Sequence, residues 1–145
     1  MLWSLNKKFL IIFSASSLVC LYLGVSTDSK YISSINEHDK ILHLVSFLIE
    51  SLLFVKLFDG ENVVIVNPMC PSEFDLNSGQ LQHRRRVEIK KYKLAFIVCT
   101  VSAAIGSEFL QSIVSSGKRV FDYKDILYNM LGSALGITLA RYQER

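Results

Sequence analysis

Residues 106–136 read GSEFLQSIVSSGKRVFDYKDILYNMLGSALG, and the fold turns on this stretch. Two apolar helical patterns flank a short polar turn around Gly117, with Glu108 and Gln111 closing the first pattern. Arg119, Asp122, Asp125, Asn129, Gly132 and Gly136 run through the second. At about 100° per residue, Asp122, Asp125, Asn129, Gly132, Gly136 and Ala140 fall within an arc of roughly 80°. A solvated helix does not carry three polar groups and then two glycines on one stripe. The pattern predicts a helix that buries a polar end and a close-packing small-residue end against its neighbours.

The chain has 145 residues, room for a single domain over 1–145. Hydrophobic residues make up 50% and the mean hydropathy is +0.32, high for a soluble domain of this size. A formal net charge of +3 is too small to argue for nucleic acid, and the basic residues are clustered. Cys20, Cys70 and Cys99 are widely spaced and two of them sit in apolar runs, which supports neither a disulfide framework nor a metal site. No Walker loop, GxGxxG, HExxH or GxSxG occurs, so no cofactor and no metal is expected.

Outward from the opening stretch, four apolar runs predict four membrane spans: about 9–25, 41–58, 94–114 and 124–140. The first, FLIIFSASSLVCLYLGV, follows Lys7 and Lys8 and reads as a retained span rather than a signal peptide, because the apolar run is longer than the usual h-region and no convincing small-x-small cleavage site follows it. The second carries Asp39, His43, Ser46 and Glu50 on one stripe within roughly 60°. A Glu near mid-span is costly in lipid, so Glu50 should face a partner or water. Thr100, Ala104, Glu108, Gln111 and Ser115 share one face of the third. Between spans two and three, residues 59–93 hold both prolines and the run HRRRVEIKKYK, and read as a solvated basic loop. Val63–Val66 is too short to span. Arg84, Arg85, Arg86, Lys90 and Lys91 mark the cytoplasmic side and could attract anionic lipid.

The positive-inside rule places Lys7/Lys8, the 84–93 cluster and Arg141/Arg145 on one side, so both termini are expected to be cytoplasmic. Span two then begins on the far side with Asp39, Lys40 and His43. Span three ends there with Glu108 and Gln111, and span four begins there with Arg119, Asp122, Asp125 and Asn129. These residues are expected to converge on one polar pocket at the extracytoplasmic interface. Helix caps account for some of the acids, and Gly132 and Gly136 form a GxxxG packing face that could serve within a chain or in a homo-oligomer. Caps and glycines do not explain Glu108, Gln111 and His43 inside apolar runs.

Three blocks, Asp39-Lys40-x-x-His43-x-x-x-Phe47, Gly106-x-Glu108-x-x-Gln111 and Arg119-x-x-Asp122-x-x-Asp125-x-x-x-Asn129-x-x-Gly132-x-x-x-Gly136, together resemble the VanZ-like family. These are small multi-pass membrane proteins named after an accessory protein of bacterial glycopeptide resistance. The resemblance covers about residues 39–58 and 104–140, and the long loop 59–93 departs from it. It implies an all-α, membrane-spanning helical bundle with its site at the motif residues, and brings no established activity.

The functional expectation is a non-catalytic accessory protein that binds a lipid or envelope component in the polar pocket. An enzyme acting on a lipid-linked or phosphorylated substrate is the alternative, with His43 and Glu108 or Asp125 as acid and base and Arg119 holding phosphate. A small transporter or scramblase using Glu50, Glu108 and Asn129 as a polar track is a third. The short runs favour a thin membrane such as the endoplasmic reticulum without separating it from the plasma membrane.

Overall fold

Each apolar run becomes a helix, and two of the helices begin under a side chain that accepts from one of their first amides. The computed structural model describes residues 5–25, 39–66, 74–75, 80–81, 86–114 and 121–145. Helix α1, Lys7–Val25, starts under Asn6, whose Oδ1 accepts from the Lys8 amide at 3.2 Å. Helix α2, Asp39–Lys56, has Asp39 in its first turn and Lys56 in its last, each suited to its end of the dipole. Helix α3 runs over Lys91–Val114. Helix α4, Tyr123–Gln143, is capped by Asp122, whose Oδ1 accepts from the Lys124 amide at 2.9 Å.

Helix α4 is the centre of the molecule. Its buried residues are Asp125, Asn129, Gly132, Ser133, Gly136, Ile137 and Ala140, which is the stripe the sequence marks. That stripe lies directly on the α2 backbone. A Cβ added at Gly132 would stand 2.2 Å from the Leu44 carbonyl oxygen, and one at Gly136 would stand 2.2 Å from that of Leu48. Helices α2 and α4 run parallel, with both N-termini at one end, and α3 runs against them. Helix α1 runs against α2: the Asn6 amide donates to the Leu57 carbonyl at 2.9 Å, and Ser17 Oγ donates to Glu50 Oε2 at 2.6 Å. Glu50 thus meets its partner on a neighbouring helix.

Helix α3 is not regular. Phe96–Ala103 is π-helical between the α-helical segments Lys91–Ala95 and Ala104–Val114, and Ser102 Oγ donates to the carbonyl five residues back, Ile97, at 3.1 Å. Two α4 side chains reach α3 carbonyls here: Ser133 Oγ lies 3.4 Å from that of Cys99, within the π-helical stretch, and Asn129 Nδ2 lies 3.5 Å from that of Ala104, just beyond it.

The segment between α2 and α3 corrects the reading of 59–93 as a solvated loop. Strand β1, Asn62–Val66, pairs antiparallel with β4, Arg86–Lys90, from Asn62↔Lys90 to Val66↔Arg86. A second short pair, β2 (Phe74–Asp75) and β3 (Gln80–Leu81), is also antiparallel. Val63 is buried with Leu57 and Phe58, backed by Phe9, Phe13 and Phe54. Val63–Val66 is too short to span, but its β-branched residues suit a paired strand. Lys91 is turned inward, which removes it from the basic surface, whereas Lys90 is exposed. Arg84 and Arg85 lie outside the described residues, as does the turn 115–120.

The outward faces are apolar. Ile11, Leu18 and Tyr22 on α1, Ile41, Val45 and Ile49 on α2, Phe109 and Ile113 on α3, and Leu127, Leu131 and Leu135 on α4 are all exposed. Among the described residues, two helices, at Lys7–Gly24 and Lys91–Val114, are long and apolar enough to cross a membrane.

Candidate functional site

Three helix ends meet at one end of the bundle. The start of α2 brings Asp39, Lys40 and His43; α3 brings Glu108; the start of α4 brings Asp122, Asp125 and Asn129. His43, Glu108, Asp125 and Asn129 are buried. Lys40 and Asp122 form the open edge, with side chains 42% and 38% exposed.

Asn129 sets the local hydrogen-bonding sense. Its Nδ2 faces Ser107 Oγ at 3.2 Å and the Ala104 carbonyl at 3.5 Å. A carbonyl can only accept, so the amide nitrogen must point that way and Oδ1 must point to His43, 2.9 Å from Nδ1. His43 therefore donates from Nδ1. In the neutral ring this leaves Nε2 as the acceptor, facing Asp39 Oδ1 and Asp125 Oδ2, each at 3.9 Å. Glu108 Oε1 lies 3.9 Å from His43 Nδ1 on the other side. Lys40 Nζ spans Asp122 Oδ2 at 3.8 Å and Asp125 Oδ1 at 3.9 Å. Glu108 Oε1 and Asp125 Oδ1 are buried without a hydrogen-bond partner. The cluster is thus rich in acid and short of donors. One ligand atom each from Asp39, His43 and Asp125 lie within 4.8 Å of one another.

Of the residues expected in the pocket, Asp39, Lys40, His43, Glu108, Asp122, Asp125 and Asn129 come together. Gln111 stands at α1, its Nε2 2.8 Å from where a Cβ on Gly24 would lie. Arg119 lies outside the described residues. Ser107 was not anticipated. Its only signal is a hydroxyl one residue before Glu108 in an apolar helix.

The opposite end holds a second polar group that the sequence did not reveal. Lys91 Nζ pairs with Glu144 Oε2 at 2.8 Å and donates to the Phe58 carbonyl at 3.3 Å, while the Tyr92 hydroxyl donates to Glu144. Burial works to raise the Glu144 pKa. Hydrogen bonds from Lys91 and Tyr92, with the charges of Lys91 and Lys56, outweigh it and hold the carboxyl below its ordinary range. An open cavity of about 400 Å³ lies beside this group, lined by Asn6, Lys56, Asp59, Lys91 and Glu144 among others.

A protein-family model described as VanZ/LLP1 matches residues 7–143. An uncharacterized protein of Saccharomyces cerevisiae is 37% identical over 128 residues, covering 88% of this chain and 100% of its own length. An uncharacterized protein of Schizosaccharomyces pombe is 28% identical over 137 residues, covering 94% of this chain and 65% of its own. No solved structure matches.

Proposed function

The chain belongs to the VanZ/LLP1 family, and from that membership and its polar cluster we propose a four-span integral membrane protein in an accessory role. Its cluster binds a lipid or envelope component at the extracytoplasmic interface, without catalysis, and both termini are cytoplasmic.

The observation that carries this reading is the inverted polarity of the bundle. Helices α2 and α4 hold His43, Asp125 and Asn129 inside, against each other and α3, and turn Ile41, Val45, Ile49, Leu127, Leu131 and Leu135 outward. In water such a molecule would expose a large apolar surface. In a bilayer the same surface meets lipid and the polar residues are kept inside. The helix lengths agree. At about 1.5 Å per residue, the 18 to 24 residues of each helix reach roughly 27–36 Å, close to the hydrocarbon thickness.

The acid-rich lining, open beside Lys40 and Asp122, favours the cationic part of a ligand. An enzymatic reading has an observation of its own, since His43 stands among three carboxylates. Against it, the Ser107 hydroxyl beside the cluster is engaged by Asn129 and by the Ala104 carbonyl at 3.1 Å, and so is not poised for attack.

The test is lipid retention. Wild type purified in mild detergent should carry a defined lipid or envelope component, and Asp39→Asn with Asp125→Asn should lose it. Equal content in both proteins would end the binding reading.

A further inference from the structure

We propose that Asp39, His43 and Asp125 bind a divalent transition-metal ion, Zn²⁺ or Mn²⁺. The inference rests on reading the cluster as a binding site, and names the cationic ligand that the site takes.

Ring geometry comes first. Ala104 fixes the Asn129 amide, and Asn129 fixes His43 Nδ1 as a donor, so the Nε2 lone pair of the neutral ring faces two carboxylate oxygens at 3.9 Å. Three electron-rich atoms turned on one another repel unless a proton or a metal cation lies between them. Metal-bound histidines are held in this way, with the far ring nitrogen donating to an oxygen that sets tautomer and orientation. Asn129 supplies that oxygen.

Charge balance comes second. Glu108 and Asp125 lie beside His43, and Asp122 and Asp125 beside Lys40. Asp125 is 7% exposed and Glu108 3%, and Asp125 Oδ1 and Glu108 Oε1 have no hydrogen-bond partner. Buried oxygens in that state call for a cation or further donors. Lys40 pairs with both nearby acids, 3.8 Å from Asp122 and 3.9 Å from Asp125, and lies beyond hydrogen-bond length from each.

The donor set names the metal class. One imidazole nitrogen and two carboxylates suit Zn²⁺, Mn²⁺ or Fe²⁺ better than Mg²⁺ or Ca²⁺, which favour all-oxygen shells. Three protein ligands leave a coordination position on the open edge for water or an anionic group of a ligand. Ligand atoms spread over 4.8 Å must draw together on loading, because bonds of roughly 2.1 Å bring neighbouring ligands to about 3.4 Å. No metal spacing is visible in the sequence because Asp39 and His43 are one helical turn apart whereas Asp125 comes from a distant helix.

Full-length protein in detergent is stripped with chelator, reloaded with Zn²⁺ or Mn²⁺ and analysed for bound metal and melting temperature. The expected result is close to one ion per chain, with the melting temperature raised by roughly 5 °C at saturation and returned to the stripped value by chelator. His43→Gln and Asp39→Asn should each weaken binding tenfold or more. Less than about one ion per ten wild-type chains would overturn the proposal, a measurement that depends on no variant folding. So would binding by both variants equal to wild type. Lipid content measured on the same preparations separates the two readings. Lipid that persists without metal, and is lost in Asp39→Asn with Asp125→Asn, overturns the metal alone; absence of both overturns the site.

Discussion

Asn129 orders the site at the scale of single residues. It is fully buried and bonds α2 through His43 and α3 through Ser107 and Ala104. Asn129→Ala strands these partners at once and is expected to cost about 2–3 kcal/mol in chemical unfolding of the purified protein. A change below about 0.5 kcal/mol would show that the amide organises nothing. At the other end, Glu144 carries a pH dependence whose sign follows from its lowered pKa. A carboxyl depressed in the folded state contributes stability above its unfolded pKa and loses it as pH falls through the folded value. The melting temperature of wild type should therefore drop between about pH 5 and about pH 3, and Glu144→Gln should flatten that drop. Asp39, His43, Glu108, Asp125 and Asn129 were legible one by one, as polar groups on helical stripes within apolar runs. Ser107 and the Lys91–Glu144 pair were not, because a lone hydroxyl or a charge near a chain end carries no periodicity.

At the scale of elements, the contact between α2 and α4 is set by two missing side chains. With Leu44 and Leu48 carbonyls 2.2 Å from the positions of added Cβ atoms, Gly132→Ala or Gly136→Ala must push the helices apart. Each should cost about 2 kcal/mol or more, read as a lowered melting temperature. Gly106→Ala is the control: nothing lies within 4 Å of its Cβ, so the change should be neutral or should stabilise by up to about 1 kcal/mol. Similar losses at all three glycines would refute the close-contact account. The GxxxG spacing announced a packing face without naming its partner. The π-helical stretch Phe96–Ala103 was invisible, since FIVCTVSA is as good an α-helix as a π-helix in composition. Its irregularity is tied to Ser133 and Asn129 on α4, which reach toward the Cys99 and Ala104 carbonyls. Strands β1 and β4 were missed for a similar reason: short strands in a basic, turn-rich segment give little alternation to read.

The whole molecule is asymmetric from end to end. Asn6, Phe58, Lys91 and Glu144 gather at one end, and Asp39, Glu108 and Asp125 at the other. If the bundle spans the bilayer as proposed, single cysteines on a background without Cys20, Cys70 and Cys99 should divide by side. In sealed vesicles a membrane-impermeant thiol reagent should label Asp59→Cys and Gln143→Cys from one face, and Lys124→Cys only from the other. Labelling of all three from one face would remove the four-span arrangement.

The sequence by itself determined which segments are helical and apolar, which stripes are polar, and that α4 would lie against neighbours along its glycines. These follow from periodicity, a local property that each helix carries alone. Only the tertiary structure decided which stripes meet, that Gln111 packs at α1 while Glu108 stands beside His43, and that Lys91 turns inward to Glu144. It also decided that Asn129 aims the His43 ring so that Nε2 faces Asp39 and Asp125. Those relations join residues far apart in the chain, 86 positions in the case of His43 and Asn129. They depend on the rotation and depth of one helix against another, which close backbone contact at Gly132 and Gly136 sets and no single helical pattern contains.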